Sequence, residues 1–334
     1  MGLRNAVEPV AIAAIFTAGT IINRRKTPKS ANRHGVRSPL LEEDPEDQAV
    51  QHACSDGEDD DGIMIKKPTL QTRVLAWFPF LLEIWYWLLI YWIYQGLRAL
   101  SATLIRDHAL IFSRAEHHGI QILALERIAH IAIEHDVQRF VLDRAPWLIP
   151  YLACVYYSHI VLGVVFFVYC YTFLPTARYQ QIRRTLALEN VIAFIILTSW
   201  RCTPPRLLPE KYGFVDVLNG NGNNPGGSWT HNRFQLTIAA MPSLHFGNAV
   251  LIAFCLVSFS PHRPLRFLAP LWPLLMGFTI IATANHYILD AVAGVCTITA
   301  AYRSNRVMLA LLPVERTFFK LLRLEKPGEV PSKE

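Results

Sequence analysis

Apolar residues fall in long runs along this chain, and the runs are too long for the core of a soluble domain. Six lie near 74–94, 150–174, 186–202, 244–260, 267–285 and 288–312. A helix needs roughly 20 apolar residues to cross a bilayer. Backbone groups in lipid must bond within their own segment, so each run is predicted to be a helix. The pattern predicts an all-α, polytopic membrane helical bundle with six core helices. A seventh apolar run, 6–22, is followed by Arg24, Arg25 and Lys26. It reads as a signal anchor or an extra transmembrane helix. The last core run is interrupted by Arg303 and Arg306, so its span is expected to stop near Ala301. Glu83 sits inside the first core run and is expected to face the bundle or to snorkel.

Between the runs the pattern changes. Residues 23–38 hold six Lys and Arg and no acid, and residues 42–61 hold ten Asp and Glu and no base. Segregated charge with few large apolar residues cannot bury enough surface to fold, so 23–72 is expected to be a disordered charged tail. Residues 98–146 mix six Arg and six acids with Ile, Leu and Ala at helical spacing. This segment is predicted to form helices that lie on the membrane surface or cap the bundle. Residues 313–334 read as a basic cytosolic tail, and 73–312 as one six-helix catalytic domain.

Composition agrees. Of 334 residues, 52% are hydrophobic and 17% charged, with mean hydropathy +0.25, against about 25% charged in soluble domains. The net charge of +6 is spread too thinly for a nucleic-acid partner. Basic loops orient the bundle instead. Arg178, Arg183 and Arg184 in 175–185, Arg263 and Arg266 in 261–266, and the tail after 301 all fall on one side of a six-helix bundle, expected to be cytosolic. The six Arg of 98–146 fall on the other side, against this rule. Of the six cysteines, Cys154, Cys170, Cys202, Cys255 and Cys296 lie in or beside apolar runs. They read as buried apolar residues, and there is no C-x-x-C pair.

Three polar islands interrupt the pattern. They are Arg201-Cys202-Thr203-Pro204-Pro205-Arg206, Met241-Pro242-Ser243-Leu244-His245, and Asn285-His286-Tyr287-Ile288-Leu289-Asp290. Even numbers of crossings separate them, so all three are expected on the face opposite the basic loops. The spacing of His286 and Asp290 predicts one helix face, where the carboxylate can fix the imidazole tautomer. Asp290 lies within an apolar run, where a bare carboxylate is expensive, so it is read as functional. Pro242 and Ser243 mark a helix start whose free N–H groups favour an anion. Arg206 can bind phosphate oxygens bidentately. Two histidines, a carboxylate and an arginine suit phosphoryl transfer through a phosphohistidine, without metal or cofactor. A zinc site on His245, His286 and Asp290 ranks lower, for want of supporting residues. His108, His117, His118, His130, His135 and His159 read as ordinary boundary or surface histidines.

Pro242-Ser243-Leu244-His245 and His286-Tyr287-Ile288-Leu289-Asp290-Ala291-Val292-Ala293-Gly294 resemble the second and third motifs of the type 2 phosphatidic acid phosphatase superfamily. Their form, with Thr203-Pro204-Pro205-Arg206 and Gly213-Phe214-Val215-Asp216, resembles its inositolphosphotransferase branch, which includes fungal inositol phosphorylceramide synthase. The resemblance implies a multi-pass protein of the Golgi or endoplasmic reticulum with a luminal site. His286 would be the nucleophile, oriented by Asp290, His245 the general acid, and Arg206 and Ser243 the phosphate holders. Implied substrates are a phospholipid donor and a ceramide-like or water acceptor. The sequence departs from the superfamily pattern in lacking the first motif's Lys, in having Ile280 where the third motif has Arg, and in having Leu244 where the second has Gly. Three readings follow: a lipid phosphotransferase moving a phospho-headgroup between lipids, a lipid phosphate phosphatase, and a non-catalytic scaffold or transporter. The turn-rich stretch 219–227 within the long loop 207–240 is a candidate lid.

Overall fold

The computed structural model describes residues 4–25, 70–218 and 237–322. Nearly all of the charged segment 23–72, the turn-rich stretch 219–227 and most of the basic tail lie outside the described residues.

The described residues are mainly helical. In order it forms α1 (Arg4–Ile22), α2 (Leu70–Trp77), α3 (Phe80–Ile105), α4 (Ala109–Ile128), α5 (Glu134–Arg144), α6 (Ile149–Phe173), α7 (Thr176–Ser199), α8 (Leu244–Phe259), α9 (Arg263–Leu268), α10 (Leu271–Ala282), α11 (Ile288–Ser304) and α12 (Leu312–Leu321). Phe80–Ile105, Pro146–Phe173 and Arg263–Ala282 are long and apolar enough to cross a membrane, and Val7–Ile22 and Leu244–Phe259 are apolar but shorter. This is a helical membrane bundle. At its centre α11 packs on α7 and α8, and α10 packs on α8 and α6. The seventh apolar run is helical and packs on α6, burying Phe16 against Phe80 and Trp87.

Two element boundaries differ from the hydrophobic pattern, both because polar side chains are carried on helix. The first core helix starts at Phe80, after Pro79, and runs to Ile105, so Arg98 sits in its last two turns and not on a surface helix. The basic stretch 175–185 is also not a loop. The chain turns at Leu174 and Pro175 and is helical from Thr176. Arg183 then reaches inward to Glu83, with Nη1 2.6 Å from Oε2, and Tyr179 donates to the same carboxylate at 2.8 Å. The Arg183 guanidinium lies 4.5 Å from the centre of the Tyr86 ring. Glu83 is thus paired inside the bundle and does not snorkel. Arg184 donates to Asn305 at 3.2 Å, which ties α7 to the end of α11.

This cluster crosses from α3 to α7 beside the main apolar core of Phe80, Val164, Phe167, Cys170, Ile182, Leu251 and Ile298. Removing one partner strands the other charge in an apolar setting. Glu83→Ala is expected to cost about 2–3 kcal/mol, below the fully buried range because both side chains keep some exposure. Thermal unfolding in detergent checks this. Glu83→Ala with Arg183→Leu is expected to recover most of the loss, and a double variant no more stable than the single contradicts it.

Candidate active site

Backbone hydrogen bonds stitch the three polar islands together. Cys202 donates its N–H to Ile238 O at 3.2 Å, and its carbonyl accepts from Ala240 N at 3.0 Å. Arg206 N donates to Ala284 O at 3.0 Å, and Ser243 N donates to Asp290 O at 3.0 Å. The Tyr287 hydroxyl closes the ring by donating to Thr203 O at 3.0 Å. Ile122, Leu123, Cys202, Leu208, Ala240 and Tyr287 form the apolar floor beneath these connections. The three islands therefore form one site.

His286 is almost fully buried at 6% exposure. Its Nδ1 lies 2.8 Å from Ala240 O and 3.5 Å from Asp290 Oδ2. A carbonyl oxygen only accepts, so Nδ1 carries the hydrogen. That leaves the Nε2 lone pair as the reactive one. The His286–Asp290 pairing arises differently from the one-face expectation. His286 precedes the helix, Tyr287 is its N-cap in extended conformation, and Asp290 occupies the third helical position. There Asp290 Oδ2 accepts the Tyr287 N–H at 3.1 Å. The carboxylate thus caps its own helix, whose N-terminal dipole favours a negative charge, while facing the imidazole. Asp290 is fully buried, and its Oδ1 meets no donor.

His245 stands in the first turn of α8, its ring centre 5.6 Å from that of His286. Two residues of α6 hold it: Tyr156 stacks on it at 4.3 Å, and His159 meets it edge-on at 4.2 Å. His159 Nδ1 donates to Tyr156 O at 2.8 Å, which fixes its tautomer as well. Sequence spacing gave no sign of His159 at the site, because nothing local links α6 to the islands. Ser243 is fully buried, and its Oγ accepts from Phe246 N at 3.4 Å, capping α8. The peptide bond between Met241 and Pro242 is cis.

Three arginines, from α3 and the first island, carry buried guanidinium nitrogens without partners. Arg206 places Nη1 2.7 Å from Asp216 Oδ2, and its Nε is buried without a partner. Arg201 donates from Nη2 to Ser101 Oγ at 2.9 Å, with Nη1 buried and unpartnered. Arg98, one helical turn before Ser101 on α3, buries an unpartnered Nε. Among the described residues no three His, Cys, Asp or Glu side chains are grouped as metal ligands, and the zinc arrangement of His245, His286 and Asp290 is not formed.

Paired histidines, a capping carboxylate and nearby arginine-bearing segments in a multi-helix membrane protein are the makings of a membrane phosphatase or phosphotransferase. The profile of the PAP2 superfamily matches residues 120–304, more than half of the chain, and the chain belongs to that superfamily. Membership brings a lipid phosphatase- or phosphotransferase-type activity. No curated protein and no solved structure shows a significant match.

The closest backbone contact in this region depends on glycine. A Cβ on Gly294 would lie 2.3 Å from Ser243 O, and one on Gly247 would lie 2.8 Å from Gly294 O. The start of α8 therefore presses directly on α11. Gly294→Ala is expected to push Ser243 and His245 away from His286 and to lower turnover by about 100-fold or more. Gly163→Ala, at a position with nothing within 4 Å, is expected to behave as wild type. Turnover per folded molecule checks both. A fully active Gly294→Ala protein contradicts the argument.

Proposed function

We propose that this chain is a membrane lipid phosphotransferase that moves a phospho-headgroup of phosphoinositol type between lipids through a phosphohistidine on His286. The observation that carries the proposal is the His286 imidazole, with Nδ1–H committed to Ala240 O beside Asp290 and its ring facing His245. In the first half-reaction Nε2 attacks the phosphorus of the donor phosphodiester. The bond from phosphorus to the lipid oxygen breaks, and His245 protonates that oxygen. In the second half-reaction His245 takes the proton of the acceptor hydroxyl, the new oxygen–phosphorus bond forms, and Nε2 leaves. Asp290 steadies the positive charge that the imidazole gains on attack.

The anionic oxygens need cations, and the first-motif Lys is missing. Arg206 and the free N–H groups after Ser243 supply part of the cradle. Asp216 holds one edge of the Arg206 guanidinium and leaves Nε for a ligand. Arg98 and Arg201, each with a buried guanidinium nitrogen that has no partner, supply the rest in this reading.

The membrane is read as that of the Golgi or endoplasmic reticulum, as the resemblance implies, with the site on the luminal face, opposite Arg263, Arg266 and the basic residues after 301. Superfamily membership equally favours the second reading, a lipid phosphate phosphatase, in which water replaces the acceptor lipid.

The deciding assay incubates purified protein with labelled phosphoinositol lipid, with and without ceramide. Label on ceramide supports the transferase, and label in water-soluble product supports the phosphatase. Label on neither, with the protein folded, overturns both and favours a scaffold or transporter. His286→Ala is expected to abolish turnover. Asp290→Asn is expected to fold but to be strongly impaired, in the direction of the roughly 10⁴-fold loss that an Asp-to-Asn change causes in a serine protease triad. Activity is expected to survive chelators.

A further inference from the structure

We infer that Glu126 and Glu134 are positioning residues for the histidine site, holding one proton between them and clamping the first amides of the helix that carries Asp290. The inference rests on the reading of His286 as the nucleophile.

The observation is a run of three amides on three carboxyl groups. Tyr287 N donates to Asp290 Oδ2 at 3.1 Å, Ile288 N to Glu134 Oε1 at 3.0 Å, and Leu289 N to Glu126 Oε1 at 2.7 Å. The glutamates come from α4 and α5, more than 150 residues away in sequence. Both are fully buried at 0% exposure. Ordinary caps of this kind come from the helix's own N-cap residue and are partly wet. Here α4 and α5 reach in and take over the task one and two residues after Tyr287, the N-cap neighbour of His286. Any shift of Ile288 or Leu289 moves Asp290 and the His286 ring with it.

The second oxygens show how the pair is held. Oε2 of Glu126 and Oε2 of Glu134 meet no nitrogen or hydroxyl donor. The two carboxyl groups take the adjacent amides of Ile288 and Leu289, which brings them together at one helix end, where a proton on one is what the other can accept. The titratable groups facing Glu126 are Glu134 from α5, Asp290 and Tyr287 at the start of α11, and Cys202 from the first island. Glu134 itself lines a cavity of about 340 Å³ with Arg127, His135, Asp136 and Lys211. Burial raises the Glu126 carboxyl to about 8. The Leu289 amide opposes this, and the Glu134 bond and the charges of Glu134 and Asp290 add to it.

The sign follows. The proton is favoured in the folded state, so its contribution is complete below the ordinary carboxyl range and is lost as pH rises through about 8. Above that, three carboxylates crowd one helix end and the clamp loosens. Turnover is therefore expected to fall on the alkaline side through a pair that sits behind the reacting groups.

Amide hydrogen exchange of the peptide spanning 286–291 in the full-length protein in detergent reads the clamp without activity, and kcat and KM across pH read its effect. In wild type the protection of these amides is expected to drop roughly tenfold between pH 7 and 9, beyond the intrinsic base catalysis. Glu126→Gln keeps an acceptor for Leu289 and a donor for Glu134, so it should retain protection and lose the pH-dependent drop. Glu126→Ala and Glu134→Ala are expected to lose protection and about tenfold or more in kcat, with KM little changed. Protection unchanged in a folded Glu126→Ala protein overturns the clamp. Lost protection with unchanged kcat overturns the positioning role, leaving the pair as structural caps. A Glu126→Gln protein that keeps the wild-type alkaline drop overturns the shared proton. If the wild-type protein turns over no lipid at all, the proposed function fails, and the exchange arm still decides the clamp.

Discussion

The bond from Ser243 N to Asp290 O is the contact on which the rest of the site depends. It joins the start of α8 to the first turn of α11, the two places where the chain can present a histidine at the end of an apolar helix. Gly294 and Gly247 let the backbones approach closely enough for it to form. Once it is made, His245 and His286 must face each other, and the Ser243 carbonyl is committed to α8 through Gly247 N at 3.0 Å. In an apolar setting such bonds have no competition from water, so a few of them fix a geometry that would be loose at a wet surface.

The same setting explains the treatment of charge. Four carboxyl groups in the bundle have specific partners, while Glu189 is buried with its Oε1 unpartnered. Glu83 meets Arg183, Asp290 caps its own helix, and Glu126 and Glu134 cap it from outside. Isolated ionised groups there would be costly. Pairing, helix N-termini and a shared proton are three ways of offsetting that cost. The last two converge on one helix end, two residues from His286. A stretch that looked like a mere surface cap, α4 and α5, is in this account part of what holds the reactive histidine.

Much of this was legible in the chain. Long apolar runs gave the helices, because lipid leaves the backbone no other option. The polar islands marked the site, because Asp290 and the two histidines are conspicuous against apolar surroundings. Three features were not legible, each for a physical reason. The helix around His286 begins at Ile288, and only the N-cap conformation of Tyr287 shows that the pairing with Asp290 is a cap and not a helix face. Arg183 and Arg98 sit on helix, because long arginine side chains can turn inward while periodicity reads them as loop or surface. His159, Arg98, Glu126 and Glu134 reach the site through tertiary contacts that no local spacing encodes.

The central claim is that His286 becomes covalently phosphorylated during turnover. Rapid mixing with donor lipid labelled at phosphorus, quenching in alkali, where phosphohistidine survives, and peptide mapping test it most directly. The account predicts a label on the peptide carrying His286, formed and consumed at rates consistent with turnover, and absent in His286→Ala. Turnover that proceeds with no label on that peptide at any time, or with the label on another residue, contradicts it.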